Sequence, residues 1–316
     1  MLGAAHKPGA MPLRPLGLGD IYDAAFRIIR FNPKATVGSA VLVAAASMAI
    51  PILVTAVLTV VVDLTADSGG DLTTAELISV VGQFGALTVG AILQSIGLVL
   101  VTGMIAHVTA AAAIGRRLTL GEAWAATRGS RWRLIGLTAL LAVMTLGIVT
   151  GYIVLWVLVA LTLPTWAVVV FGVASVPAFI AFMLWFWIRV YYLPVPALMI
   201  ERITVGRAIG RGFRLTRAQF WRTLGIGVLT VMIVQIAGGV LAFPFTLAGQ
   251  VVSAGVVSSQ YAPLIGVVLL ALGSVVGAAF TAPFTAAVTS LQYLDQRMRK
   301  EAYDVELMTQ AGITAS

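Results

Sequence analysis

The chain contains no cysteine, which removes disulfides, thiolate metal sites and cysteine nucleophiles together. Charge is scarce as well. Only 10% of the 316 residues are Asp, Glu, Lys or Arg, against roughly 25% in a soluble domain. Histidine is limited to His6 and His107, and no HExxH, GxSxG or P-loop phrase occurs. Without carboxylates inside the apolar runs, little material remains for general acid–base hydrolysis. The expectation is a chain that is not an enzyme and carries no metal or cofactor. The same lack of Asp and Glu weighs against a proton- or cation-coupled transporter.

What the sequence has in quantity is hydrophobic residues, 60% of the total. Apolar runs longer than a membrane core recur along the whole length, and they predict six transmembrane helices at 35–62, 88–114, 134–161, 167–192, 223–246 and 264–290. The first run, starting near Ala35, is longer than the core of a signal peptide and lacks a cleavage site close behind it. The segment 77–114 is too long for one span at about 1.5 Å per residue across a ~30 Å core. Its first part, through Gly82, Gln83 and Gly85, is expected outside or at the outer interface.

All 20 Lys and Arg residues fall before span 1, between spans 2 and 3, at or between spans 4 and 5, and after span 6. The other connections hold no basic residue, and the first carries Asp63, Asp67, Asp71 and Glu76. The positive-inside rule then places both termini in the cytoplasm of a multi-pass protein of the cytoplasmic membrane. The net charge of +8 follows this topology rather than a nucleic-acid surface, so no nucleic-acid partner is expected.

A short phrase divides the chain into three. Leu-x-Leu-Gly-acid occurs at Leu16–Asp20 and Leu118–Glu122, with a relative at Ile203–Arg207. With Gly19, Gly121 and Gly206 aligned, a second Gly follows at Gly38, Gly136 and Gly225. The middle copy is four residues shorter, about one helical turn, so the register is nearly kept. Thr119 and Glu122 form a capping-box pattern, and Trp124 and Trp132 are aromatic anchors of the same copy. In the third copy Ile209, Phe213, Thr216 and Phe220 share a stripe opposite Arg207, Arg211, Arg214 and Arg222, and Tyr22, Phe26 and Ile29 occupy the stripe of the first. The fold expected is all-α: six transmembrane helices as three parallel repeats, each an interfacial amphipathic helix plus a two-span hairpin. The units are 16–115, 116–200 and 201–308, with disordered tails at 1–15 and 309–316. Leu291–Met308 is expected to continue span 6 as an amphipathic helix.

Arg27, Arg30, Arg128, Arg131, Arg207, Arg211 and Arg214 are the candidates for contact with anionic lipid headgroups. The competing readings of these arginines are a docking site for a protein partner, or loop charges that only set topology. Four polar residues fall inside spans: Gln94, His107, Arg189 and Gln235. Helix-packing contacts are their ordinary role, and a transport path is the alternative. Pro51, Pro177, Pro244 and Pro283 each interrupt a span, as kinks or as breaks at a substrate site. Gly147-x-x-x-Gly151 and Gly273-x-x-x-Gly277 permit close helix approach.

The stretch Ile188–Gly225 resembles bacterial membrane proteins grouped with the membrane domain of glycerophosphoryl diester phosphodiesterases. RPLGLGDIYDAAFRIIRFNPKA at the start and PFTAAVTSLQYLDQRMRKEAYDVEL at the end are similar to actinobacterial members of that group. The shared phrases are Pro-Ala-x-x-x-Glu, here Pro196, Ala197 and Glu201, and acid-x-Arg-x-Arg-x-Glu, here Asp295, Arg297, Arg299 and Glu301. Ala302 stands where the resemblance leads one to expect Gly. In enzymes carrying this region, hydrolysis belongs to a separate soluble barrel, so the resemblance implies a membrane module without the enzyme. The function expected is a scaffold or lipid-contacting element of a cell-envelope assembly. The alternative is a transporter or channel for a lipid or small amphiphile.

Overall fold

The computed structural model describes residues 9–67, 72–252, 261–310 and 312, without the side chains of 61–67, 72–80, 83, 84, 87 and 91. Every described element is a helix. Three short helices begin at the repeated phrase: α1 (Leu18–Phe31), α4 (Leu120–Ala126) and α8 (Val205–Thr216). Their N-caps, Gly17, Thr119 and Thr204, each lie two residues before the aligned glycine. The acid of the phrase closes the cap. The backbone N–H of Gly17 donates to Asp20 at 3.0 Å, and that of Thr119 to Glu122 at 2.8 Å, while the Glu122 N–H donates to the Thr119 hydroxyl at 3.2 Å. Those bonds hold the Glu122 carboxyl below its usual pKa. The third copy has Arg207 in that position, and its N-cap makes no side-chain bond.

Two long helices follow each short one: α2 (Ser39–Asp67) and α3 (Leu72–Ala113), α5 (Arg131–Thr162) and α6 (Thr165–Phe186), α9 (Phe220–Val251) and α10 (Ala262–Glu301). One helix, α7 (Pro194–Glu201), precedes α8, and another, α11 (Tyr303–Gln310), ends the described chain. Among the described residues six helices are long and apolar enough to cross a membrane, which is the architecture of a multi-pass membrane protein. At about 1.5 Å per residue a helix such as α5 or α9 is ~48 Å long, the thickness of a bilayer with its headgroups.

Several local expectations are corrected. The segment before span 2 is continuous with it in one helix of 42 residues, longer than a ~30 Å core needs at about 1.5 Å per residue. It is supported because α2 extends beside it, so that Gly82 faces Leu58. The four prolines do not break their helices. The ladder changes instead at two π-helical turns, Lys34–Gly38 and Trp187–Tyr191, where one extra residue re-aims the side chains. The segment Leu291–Met308 is interrupted at Ala302, whose φ of 51° is the left-handed conformation that favours Gly. Its first part is not amphipathic: Leu291–Gln296 is buried all round.

Packing is uneven. The α2–α3 and α9–α10 pairs are intimate and pack on each other through α10. Glycines make these contacts close. A Cβ at Gly97 would collide with Val43, one at Gly90 would lie 2.7 Å from Pro51, and one at Gly238 2.5 Å from Thr281. Gly273 and Gly277 face Ala242 of α9, so that pair is a contact, whereas a Cβ at Gly147 or Gly151 would meet nothing. The α5–α6 hairpin stands apart. Its arms touch in the middle, where Tyr152 stacks on Phe179 at 3.9 Å and Trp156 meets Phe171 edge-on, and no residue of either apolar window is buried.

The buried core sits at the end that carries the basic residues. It is built from the short helices and the adjoining halves of the long ones. Residues 9–15, expected as part of a free tail, are packed there: Met11 and Leu13 are buried, and the N–H of Ala10 donates to the carbonyl of Ala112 at 2.8 Å. Residues 1–8 lie outside the described chain. Thr309 and Gln310, assigned to the other tail, close α11. The buried faces of the short helices also differ from the aromatic stripes. Ile21, Ala24, Ala25 and Ile28 are buried in α1, and Ala208, Gly212, Leu215 and Thr216 in α8. Small side chains let these helices approach their neighbours, which pushes Phe26 and Phe213 to the edge.

Candidate functional site

The basic end of α10 organises the densest polar cluster. Asp295 is 0% exposed, and a buried carboxylate persists only with donors around it. It accepts from the backbone N–H of Leu16 at 2.7 Å, from Arg299 at 3.0 Å and from Arg222. Arg222 and Arg299 in turn donate to the Leu16 carbonyl. Both backbone groups of Leu16 are therefore held by side chains that follow it by more than 200 residues.

A second group lies beside it. Glu201, at the end of α7, accepts from Arg211 at 2.7 Å and from the Tyr293 hydroxyl, and pairs with Arg297 at 3.4 Å. Glu301 receives Arg211 at 2.7 Å and Arg297 at 3.1 Å. Arg297 also lies 3.6 Å over the ring of Tyr303. Partial burial works against the Arg211 charge, but its bonds to Glu201 and Glu301 prevail and raise its pKa. The two shared phrases, Pro196–Glu201 and Asp295–Glu301, meet in this cluster.

The hub divides the seven arginines expected at headgroups. Arg211 belongs to the hub and is a structural cation. Arg131 donates to the Thr127 hydroxyl at 2.8 Å and lies 3.8 Å over Trp124, so it braces α4 against α5. Arg27 pairs with Asp23 at 2.9 Å on the exposed face of α1. Arg30, Arg128, Arg207 and Arg214 are exposed and make no ion pair among the described residues. Arg207 and Arg214 border an open hollow of ≈ 600 Å³ beside α8, which Arg211 and Glu201 of the hub line together with Ile203, Ile209 and Phe213. Arg27, Arg30 and Arg117 line another, of ≈ 520 Å³, against Gly9 and Gly115. The N-terminal turns of α5 and α9 carry exposed aromatic residues as well: Trp132 is 84% exposed and Trp221 80%.

The four intramembrane polar residues do not converge. Gln94 of α3 reaches Ser274 of α10 at 3.4 Å. His107 is half-buried in α3, with its Nε2 atom buried and unpartnered. Arg189 is aimed by its π-helical turn at α8, donates to the Phe213 carbonyl at 3.4 Å and lies 5.0 Å over the Phe213 ring. Gln235 is exposed on α9. Among the described residues no three His, Asp or Glu side chains gather as a metal site would need.

Asp295, Glu201, Arg297 and Arg299 stand in the phrases that carry the resemblance and Arg222 in the basic stripe of the third copy, but the sequence marks none of them, nor Tyr293, as a site residue. Two signals pointed at them: carboxylates standing inside an otherwise basic region, and the i,i+4 pairs Asp295–Arg299 and Arg297–Glu301. Comparison with protein-family models, with characterised proteins and with solved structures gives no match to this chain.

Proposed function

We propose that the chain is a non-catalytic scaffold of the cytoplasmic membrane that contacts anionic lipid through its basic end. The observation that carries this reading is the division of labour on α8. Arg211 is consumed by Glu201 and Glu301, while Arg207 and Arg214 stand unpaired at an open hollow whose lining, apart from the Arg211–Glu201 pair, is the apolar Ile203, Ile209 and Phe213. A guanidinium pair beside an apolar lining suits a phosphate headgroup and its first methylenes. Exposed Trp132 and Trp221 mark the level of the interface. Both termini are then cytoplasmic. The common N-cap positions of α1, α4 and α8, each followed by two long helices, support three parallel repeats. The resemblance to the phosphodiesterase membrane domain fits the same picture. An envelope assembly also supplies protein partners, and the unpacked α5–α6 hairpin offers them surface.

Two cations near an anionic surface contribute about 2 kcal/mol, roughly thirtyfold in affinity. Replacing Arg207 and Arg214 together with Gln should strip most co-purified anionic lipid, read by mass spectrometry, while thermal unfolding is unchanged. Replacing Arg211 with Gln should do the reverse. Equal lipid retention in both variants would refute the reading. Lipid or amphiphile transport is the second reading. It draws on the apolar groove of ≈ 850 Å³ between α5 and α6, lined by Leu146, Phe179, Met183 and Trp187, which fits an acyl chain.

A further inference from the structure

Helix α9 runs from Phe220 to Val251, and Gln235 stands at its middle. Some 15 residues on either side put the amide ~22 Å from each helix end. A glutamine side chain is too short to reach the headgroups from there. Gln235 is exposed and makes no hydrogen bond among the described residues. Its neighbours on the surface are Met232, 55% exposed, and Ile236, 65% exposed. One turn further on, a Cβ added to Gly239 would meet nothing. A group with two donors and an acceptor therefore faces hydrocarbon, which satisfies neither.

We propose that α9 is the contact between two copies of this chain, joined by Gln235 of each copy across a two-fold axis. The chemistry singles out a second copy as the occupant. A primary amide is self-complementary: the carbonyl of one accepts from the NH2 of the other, and the reverse bond forms at once. A two-fold axis through the contact sets like residue against like residue. Gly239 removes the side chain that would hold the backbones apart, so the amides meet at hydrogen-bond distance. The exposed Gly147 and Gly151 of α5 flank only one polar side chain, Thr150, whose hydroxyl a carbonyl of its own helix can satisfy. The contact does not depend on whether the basic end binds lipid.

The absence of cysteine makes the test direct. The full chain in liposomes receives one substitution at a time: Met232→Cys or Gly239→Cys on this face of α9, and Gly151→Cys or Val173→Cys on the free hairpin. Oxidation should link two copies through the α9 positions and leave the hairpin positions unlinked. Gln235→Leu should lower the dimer fraction about tenfold at matched protein-to-lipid ratio, and Gln235→Asn should restore part of it. Leucine suits a lipid-facing site, so thermal unfolding of the protomer should not fall. A monomeric parent chain, linkage at the hairpin instead of α9, linkage of α9 to a different protein, or undiminished dimer with Gln235→Leu would each overturn the proposal.

Discussion

At the scale of single residues, Asp295 decides how the start of the chain is held. Its carboxylate binds the Leu16 N–H and two guanidinium groups that grip the Leu16 carbonyl. Removing one partner of such a set leaves the others without compensation, at a cost of about 3 kcal/mol, the low end of the range because Arg222 and Arg299 remain partly exposed. Asp295→Asn should therefore lower the unfolding midpoint and make residues 9–16 sensitive to protease in detergent, while the rest of the chain resists. Survival of that segment at parent rates would show that apolar burial of Met11 and Leu16 suffices. The phrase containing Asp295 was visible in the sequence, and so was its i,i+4 partner Arg299. Its other partners were not, because Leu16 and Arg222 lie 279 and 73 residues away and no local pattern encodes which distant backbone group a carboxylate will meet. The same limit explains the arginines of α8. Helical periodicity puts Arg207, Arg211 and Arg214 on one side, but only the position of Glu201 and Glu301 separates the paired cation from the two free ones.

At the scale of elements, the six spans were legible because an apolar run is a local property. Which spans pack was not. Their windows fall between 2.0 and 2.5 in mean hydropathy, and the two with no buried residue, at 2.3 and 2.4, lie inside that range. Lipid and protein interior are equally apolar, so hydropathy does not distinguish a helix facing one from a helix facing the other. Glycine position discriminates better. Gly97→Ala places a methyl group against the stiff side chain of Val43 and should cost about 1–3 kcal/mol, whereas Gly147→Ala on the free hairpin should stay within about 0.5 kcal/mol. Thermal unfolding of the two variants in one detergent provides the comparison. Equal midpoints would mean that the α2–α3 contact yields without strain.

At the scale of the whole molecule, order is graded along the helix axes. The basic end holds the buried core, the hub and the short helices, and the far end of the α5–α6 hairpin has no buried residue. The described contacts of the α5–α6 hairpin with the rest of the molecule gather at the basic end: Leu134 of α5 meets Gly103 of α3, Arg131 holds Thr127 and Trp124, Trp185 meets Phe213 of α8, and Trp187 and Ile188 meet Gly227 of α9. Lever-like freedom of its far end is the expected result. Spin labels on cysteines introduced at Val157 of α5 and Val240 of α9 should report a broad distance distribution, against a narrow one for Leu53 of α2 and Ile265 of α10. Two equally narrow distributions would contradict a hinged hairpin.

The grip of the last long helix on Leu16 also has a consequence for the order of synthesis. Arg299 leaves the ribosome some 280 residues after the backbone group it must bind. Until then Arg222 alone of its three charged partners has been made, and Asp295 and Arg299 are missing, although five long helices are already complete. Nascent chains that stop short of Asp295 are thus marked by a loose beginning rather than by a missing end, and the first residues translated are among the last to be secured.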